Sequence, residues 1–179
     1  MTRSDLTLGD RLRAVVRDIP DFPKQGILFK DITPVLADAA LFAATIDALA
    51  SPYAGRGVTH VAAIESRGFL LGAPVARILG AGLVPVRKAG KLPWRTRRET
   101  YALEYGTDTL EVHADAFDAD SNVLIVDDVL ATGGTAAAAG RLVASCGAQL
   151  AGFAFLMTLG FLGGRGKLEP TRVESLIDY

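Results

Sequence analysis

A chain of 179 residues, half of them hydrophobic and 22% charged, with a formal net charge of −1, is sized for one domain with a substantial core. That balance argues against general nucleic-acid affinity, and a single cysteine excludes an intrachain disulfide framework and fits a reducing compartment. The start is charged and amphipathic, unlike a signal core, and the longest apolar stretch, around 150–162, carries Gly and Thr and is too short for a bilayer, so a cytoplasmic protein is expected.

Leu12, Val15, Val16 and Ile19 recur at helical spacing and predict an amphipathic helix over about 7–18, ended by Pro20 and Pro23. Residues 21–34 then read as a Pro- and Gly-punctuated loop carrying Phe22, Ile27, Leu28 and Phe29. So much apolar surface in a loop asks for a partner, either the core, which Phe22 and Phe29 would plug, or a ligand. Asp38 is the expected N-cap of a helix over 39–50, stopped by Pro52 and Gly55.

His60 to Ile64 predicts the first strand of a main sheet. Glu65-Ser66-Arg67-Gly68 follows as a compact turn into a helix reaching about Leu79. Arg67 at that helix start is suited to a pyrophosphate, or else to a surface ion pair. Leu83 to Val86 predicts a second strand, with reduced pairing at Pro85.

The stretch 87–100 carries six basic residues with Gly90, Pro93 and Trp94. It reads as a long mobile loop: a solvated basic loop, a nucleic-acid patch, or a lid whose cations meet a pyrophosphate. Residues 101–106 predict a strand, paired through a turn at 106–108 with a strand over 109–113. Glu104 on the first of them reads, by itself, as an exposed strand Glu. His60 and His113 stand alone, without metal-ligand spacing.

The most informative stretch is 123–135. Val123-Leu124-Ile125-Val126 reads as a strand buried on both faces and ended by Asp127 and Asp128. Val129 to Thr135 then turns into an Ala-rich helix that stops at Cys146-Gly147. This unit is a site at the carboxyl edge of an α/β sheet, with helix-start N–H groups that favour an anion. No Lys precedes Thr135, and the glycines do not space as G-x-G-x-x-G, so two common phosphate-loop patterns are absent. Carboxylates accept hydrogen bonds from hydroxyls, so a ribose 5-phosphate fits the acidic pair beside the loop. Beyond it, 150–159 predicts an apolar strand, 160–170 a Gly-rich loop and 172–177 a last strand, with no internal repeat.

The run Asp127-Asp128-Val129-Leu130-Ala131-Thr132-Gly133-Gly134-Thr135 resembles the 5-phosphoribosyl pyrophosphate (PRPP) motif of the type I phosphoribosyltransferases, most closely the adenine-using members. The resemblance covers nearly the whole chain. It implies one α/β domain over 1–179, with a mostly parallel central sheet flanked by helices. It also implies an N-terminal helix and hood over 1–36, a mobile lid over 87–106 and the PRPP motif over 123–146. The implied activity is purine salvage by a homodimer using Mg²⁺: adenine and PRPP give AMP and pyrophosphate.

By the same resemblance, Leu28, Phe29, Arg67 and Leu159 would hold adenine, and Ala131, Thr132, Gly133, Gly134 and Thr135 the 5-phosphate. Ser66, Arg67, Arg87, Lys88 and Lys91 would hold pyrophosphate, with Arg87 reaching the neighbouring subunit's site. Glu104, Asp127 and Asp128 would be catalytic, and Mg²⁺ would be held mainly by substrate and water. A cis peptide is expected near Glu65–Ser66. The chain departs from the family pattern at Ala89, where a basic residue is common, and at Thr158, where Glu is usual. Two other activities fit the motif: a same-fold enzyme for xanthine or hypoxanthine, and a PRPP-sensing DNA-binding regulator, which would add a helix-turn-helix or a strongly basic face.

Overall fold

The computed structural model describes residues 6–102 and 106–179. Fourteen main elements run in chain order: α1 (Leu8–Val15), β1 (Arg17–Pro20), β2 (Leu28–Asp31), α2 (Thr33–Ala37), α3 (Ala39–Ala50), β3 (His60–Ile64), α4 (Arg67–Leu79), β4 (Gly82–Lys88), β5 (Thr96–Ala102), β6 (Thr107–His113), β7 (Asn122–Leu130), α5 (Gly134–Ser145), β8 (Gln149–Thr158) and β9 (Val173–Asp178). Single 3-10 turns lie at Ser51–Tyr53, Gly160–Leu162 and Gly164–Leu168.

The main sheet has seven strands in the order β5-β6-β4-β3-β7-β8-β9. The run β4-β3-β7-β8-β9 is parallel, and β6 and β5 extend it antiparallel. This is the mostly parallel, helix-flanked sheet that the sequence predicts. Side-chain alternation on its central strands explains the two cores. Val123 and Ile125 of β7 face the layer of α5, whereas Leu124 and Val126 face the layer of α3 and α4.

Chain order across the sheet places the site. From β3 the chain crosses to β4 on one side, and from β7 it crosses to β8 on the other. The switch point therefore falls between β3 and β7, and a crevice opens beyond their carboxyl ends. Ile64 to Arg67 and Asp127 to Ala131 leave the sheet there.

Several elements depart from expectation. The first helix stops at Val15, and 17–20 is a strand paired with Leu28–Asp31, so the 21–34 loop is a hairpin arm followed by α2. Opposite charges face each other across that ladder: Arg17–Asp31 at 3.5 Å and Lys30–Asp18 at 2.6 Å. Phe22 and Phe29 meet edge to face, with centroids 5.0 Å apart, and Phe22 is half exposed, so they do not plug the core.

Residues 96–100, expected in the basic loop, belong to β5. Its ladder pairs Thr96 with His113 and Ala102 with Thr107, which also puts Thr107 and Asp108 in strand and not in the turn. Arg98 opposite Glu111 and Thr100 opposite Thr109, with hydroxyls 2.9 Å apart, supply the cross-strand pairing. Within 160–170, expected as loop, the two 3-10 turns form. Asp38 caps α3 as expected, its Oδ1 accepting from the Leu41 N–H at 2.9 Å. The peptide between Glu65 and Ser66 is cis.

Candidate active site

β7 carries Asp127 and Asp128 to the sheet edge, and the chain turns through Ala131, Thr132 and Gly133 into α5. Gly133 sits at φ +76°, a conformation costly for any other residue at this helix start. The turn is braced from behind: a Cβ on Gly133 would run into the Gly164 carbonyl oxygen, and one on Gly164 into that of Ala131. The first N–H groups of α5 have no partner within the helix and point out of its start. Together with the Thr132 and Thr135 hydroxyls they form an anion cup.

The cup lines a cavity of about 520 Å³. Around it stand Ser66 and Arg67 from the β3–α4 turn, Lys88 from β4, Tyr101 and Asp108 from the β5–β6 hairpin, and Asp127 and Asp128. One cavity thus joins an anion cup, the four carboxylates of Glu65, Asp108, Asp127 and Asp128, and the cations Arg67 and Lys88.

The acidic pair is unusual electrically. Burial, and the charge of Asp128 beside it, push the Asp127 carboxyl well above the ordinary range, although it accepts the Asp128 N–H at 2.8 Å. Asp128 is only 3% exposed, and burial raises its carboxyl too, with the Arg67 guanidinium pulling the other way. Arg67 Nε lies 2.8 Å from Asp128 Oδ2, an ion-pair distance without hydrogen-bond alignment, so this oxygen has no donor. The same guanidinium lies 4.6 Å over the Phe29 ring.

The basic residues are engaged with carboxylates. Lys88 Nζ is 3.1 Å from Asp108, which raises the lysine and holds the Asp108 carboxyl below its usual range against the effect of burial. Arg87 Nε donates to Glu65 at 2.9 Å, and Lys91 Nζ donates to its other oxygen. Burial pushes Glu65 up, but these donors outweigh it and hold the carboxyl low. The Tyr101 hydroxyl accepts from Thr135 Oγ1 at 3.1 Å, tying the hairpin to the cup.

Of the residues singled out in the sequence, Ser66, Arg67, Lys88, Asp127, Asp128 and Ala131 through Thr135 line this cavity. Arg87 and Lys91 stand outside its lining, on Glu65. Leu28, half exposed on the hairpin arm, and Leu159, whose N–H is spent on the Leu130 carbonyl at 2.8 Å, also lie outside it. Phe29 touches the site through Arg67. Leu103, Glu104 and Tyr105 lie outside the described residues, so the predicted position of Glu104 does too. Glu65, Tyr101 and Asp108 are cavity residues that sequence reasoning missed. Their partners are distant in the chain, and only the aromatic in an alternating strand was a signal. Among the described residues no three His, Cys, Asp or Glu side chains converge on a metal position, and no helix is long and apolar enough to cross a membrane.

The sequence profile of the phosphoribosyl transferase domain family matches residues 29–174. Adenine phosphoribosyltransferase of Myxococcus xanthus (strain DK1622) is 56% identical over 176 residues, covering 98% of this chain and 96% of that protein. Among solved structures, adenine phosphoribosyltransferase from Thermoanaerobacter pseudethanolicus superposes with a TM-score of 0.93 at 53% identity, over 97% of this chain and all of that one. The Saccharomyces cerevisiae enzyme, complexed with an imino-altritol bisphosphate and adenine, gives 0.88 at 44% identity, over 94% and 98% of the two chains.

Proposed function

Because this chain belongs to the phosphoribosyl transferase family, whose members move a pentosyl group, we propose how its residues divide the transfer of 5-phosphoribosyl from PRPP to adenine, giving AMP and pyrophosphate. The observation that carries the assignment is that one cavity gathers an anion cup, the Asp127–Asp128 pair and the cations Arg67 and Lys88. That set matches a ligand that combines a phosphate, a hydroxylated sugar and a pyrophosphate.

Residues Ala131 to Thr135 hold the 5-phosphate through backbone N–H groups and the Thr132 hydroxyl, joined by the Thr135 hydroxyl once its proton turns from Tyr101 to the phosphate. Asp127 and Asp128 accept from the ribose hydroxyls. As the bond from C1 of the ribose to pyrophosphate breaks, the electron pair leaves with the pyrophosphate and positive charge grows on the sugar. The acidic pair stabilises that charge, and its reluctance to stay ionised is relieved as the charge appears. The purine N9 then bonds to C1, and Glu104 takes or relays the base proton. Ser66, Arg67 and Lys88, with Arg87 and Lys91 from the neighbouring turn, neutralise the pyrophosphate. Leu28, Phe29, Arg67 and Leu159 enclose adenine, with the Arg67 guanidinium already over the Phe29 ring.

PRPP-using phosphoribosyltransferases generally need Mg²⁺, and the donor set fits that ion. Asp127 and Asp128, the latter with an oxygen lacking a donor, suit a cation held mainly by pyrophosphate oxygens and water. When bound, the ion supplies neutralising charge to the leaving group. The enzyme works as a cytoplasmic homodimer in this reading, its single cysteine fitting a reducing compartment.

The test is a panel: protein, PRPP and Mg²⁺ with adenine, hypoxanthine, guanine or xanthine, assayed for nucleotide. AMP from adenine, far ahead of the others, is expected. Preference for a 6-oxopurine overturns the adenine assignment, and silence with every base overturns the catalytic one. Sedimentation checks the dimer.

A further inference from the structure

Glu111 is a carboxylate with no solvent exposure, on β6 directly opposite Arg87 of β4. Its Oε1 accepts the consecutive N–H groups of Gly90, Lys91 and Leu92, at 3.0, 3.1 and 3.1 Å. Its Oε2 accepts from Thr96 Oγ1 and Arg98 Nε, each at 3.2 Å. Gly90 is at φ +82°, so the three N–H groups curl into a nest around one oxygen. Burial pushes this carboxyl up, but the donors from Leu92, Thr96 and Lys91 outweigh it and hold it below its ordinary range, so the group is an anion.

That turn carries the cations beside the cavity. Arg87 Nη1 donates to the Lys91 carbonyl at 3.1 Å, and Arg87 and Lys91 both reach Glu65. Glu65 immediately precedes Ser66 and Arg67, which line the cavity. An unbroken series of contacts thus leads from a buried anion, through the shape of one turn, to Glu65 on the cavity wall.

We propose that Glu111 is a positioning residue for the pyrophosphate end of the site: it folds the 90–92 turn so that Arg87 and Lys91 stand at the cavity margin. The proposal rests on the reading that these two cations serve pyrophosphate. The 5-phosphate cup is built from β7, α5 and the Gly164 turn, and none of Glu111's hydrogen bonds goes to them, so the cup does not hang on this carboxylate.

Calorimetric titration of the whole protein with pyrophosphate and, separately, ribose 5-phosphate tests this. Glu111→Gln keeps the size of the side chain but removes its charge and turns an amide N–H₂ towards N–H or guanidinium donors. It should weaken pyrophosphate on the order of tenfold, as loss of an outer group that orients a binding group does, and leave ribose 5-phosphate unchanged. Thr96→Val, which removes one donor without charging or emptying the site, should show the same selectivity more weakly, and it serves if Glu111→Gln does not fold. Equal weakening of both ligands, or of neither, overturns the proposal. Arg87→Ala with Lys91→Ala separates the two ideas. If that double variant binds pyrophosphate normally, the reading of the turn falls and the proposal with it. If it binds weakly while Glu111→Gln binds normally, Glu111 alone loses its role.

Discussion

Arg67 joins two parts of the site: its Nε lies 2.8 Å from Asp128 Oδ2 while its guanidinium carbon lies 4.6 Å from the centre of the Phe29 ring. One side chain therefore contacts a residue assigned to the sugar and a residue assigned to the base. Arg67→Lys keeps the charge but loses the plane and the Nε. It should lower kcat/KM on the order of 100-fold, the size associated with losing a preorganised donor at developing charge. Arg67→Ala should lower it further, because Asp128 then loses its cation. Steady-state kinetics with adenine and PRPP varied in turn check this, and a Lys variant within threefold of wild type would remove Arg67 from both roles.

The acidic pair predicts a pH dependence of stability. Both carboxyls are raised in the folded protein, so the penalty for ionising them is absent below the unfolded Asp value, about 3.9, where both states are protonated. Stability is then lost as pH climbs through the raised folded values. Asp127→Asn removes part of that penalty and can still accept the Asp128 N–H. The variant should melt higher than wild type at pH 7, by roughly 2–4 °C for each kcal/mol relieved, with the gap closing towards pH 3. A variant less stable than wild type at pH 7 contradicts the electrostatics. The double change Asp127→Asn, Asp128→Asn should abolish turnover while the protein remains folded by circular dichroism.

Gly133→Ala tests the cup. The new methyl meets the Gly164 carbonyl and the backbone must hold φ +76°, a strain of about 1–3 kcal/mol. KM for PRPP should rise tenfold or more, on the order of the loss from misplacing bound groups, with only a modest fall in melting temperature. An unchanged KM would mean the cup tolerates a different turn.

Glu104→Ala should reduce kcat by a factor on the order of 10²–10⁴, the usual contribution of a general acid or base. Adenine affinity measured by equilibrium binding should change far less. An intact kcat with a raised KM for adenine would make Glu104 a binding residue.

What could be read from the chain alone was set by how local the causes are. The strand β7 announces itself because Val123 to Val126 are apolar on both faces, and α3 because Asp38 caps it three residues before Leu41. The strand β1 does not, because Arg17 and Asp18 continue a helical rhythm, and their true partners, Asp31 and Lys30, lie across a hairpin. Glu111 hides for a similar reason. In Thr109 to His113 the alternation assigns Leu110 and Val112 inward and Glu111 to solvent, yet the 90–92 turn folds over it and buries it completely. The cavity residues Tyr101 and Asp108 likewise depend on a register that only the folded hairpin fixes. For Ala131 to Thr135, position in the motif was enough to put them on the cavity wall.

The brace between Gly164 and the turn at Ala131 and Gly133 has a consequence for how portable this chemistry is. Thirty residues after the motif, a glycine turn supplies the wall against which the cup is cast, and both partners are stripped of side chains to let their backbones touch. A segment cut at 123–146 and grafted onto another parallel sheet would carry every recognisable letter and lack half of the mould. Recombination between relatives should therefore succeed when the 131–134 and 160–166 segments are inherited together, and fail when a crossover falls between mismatched versions of them.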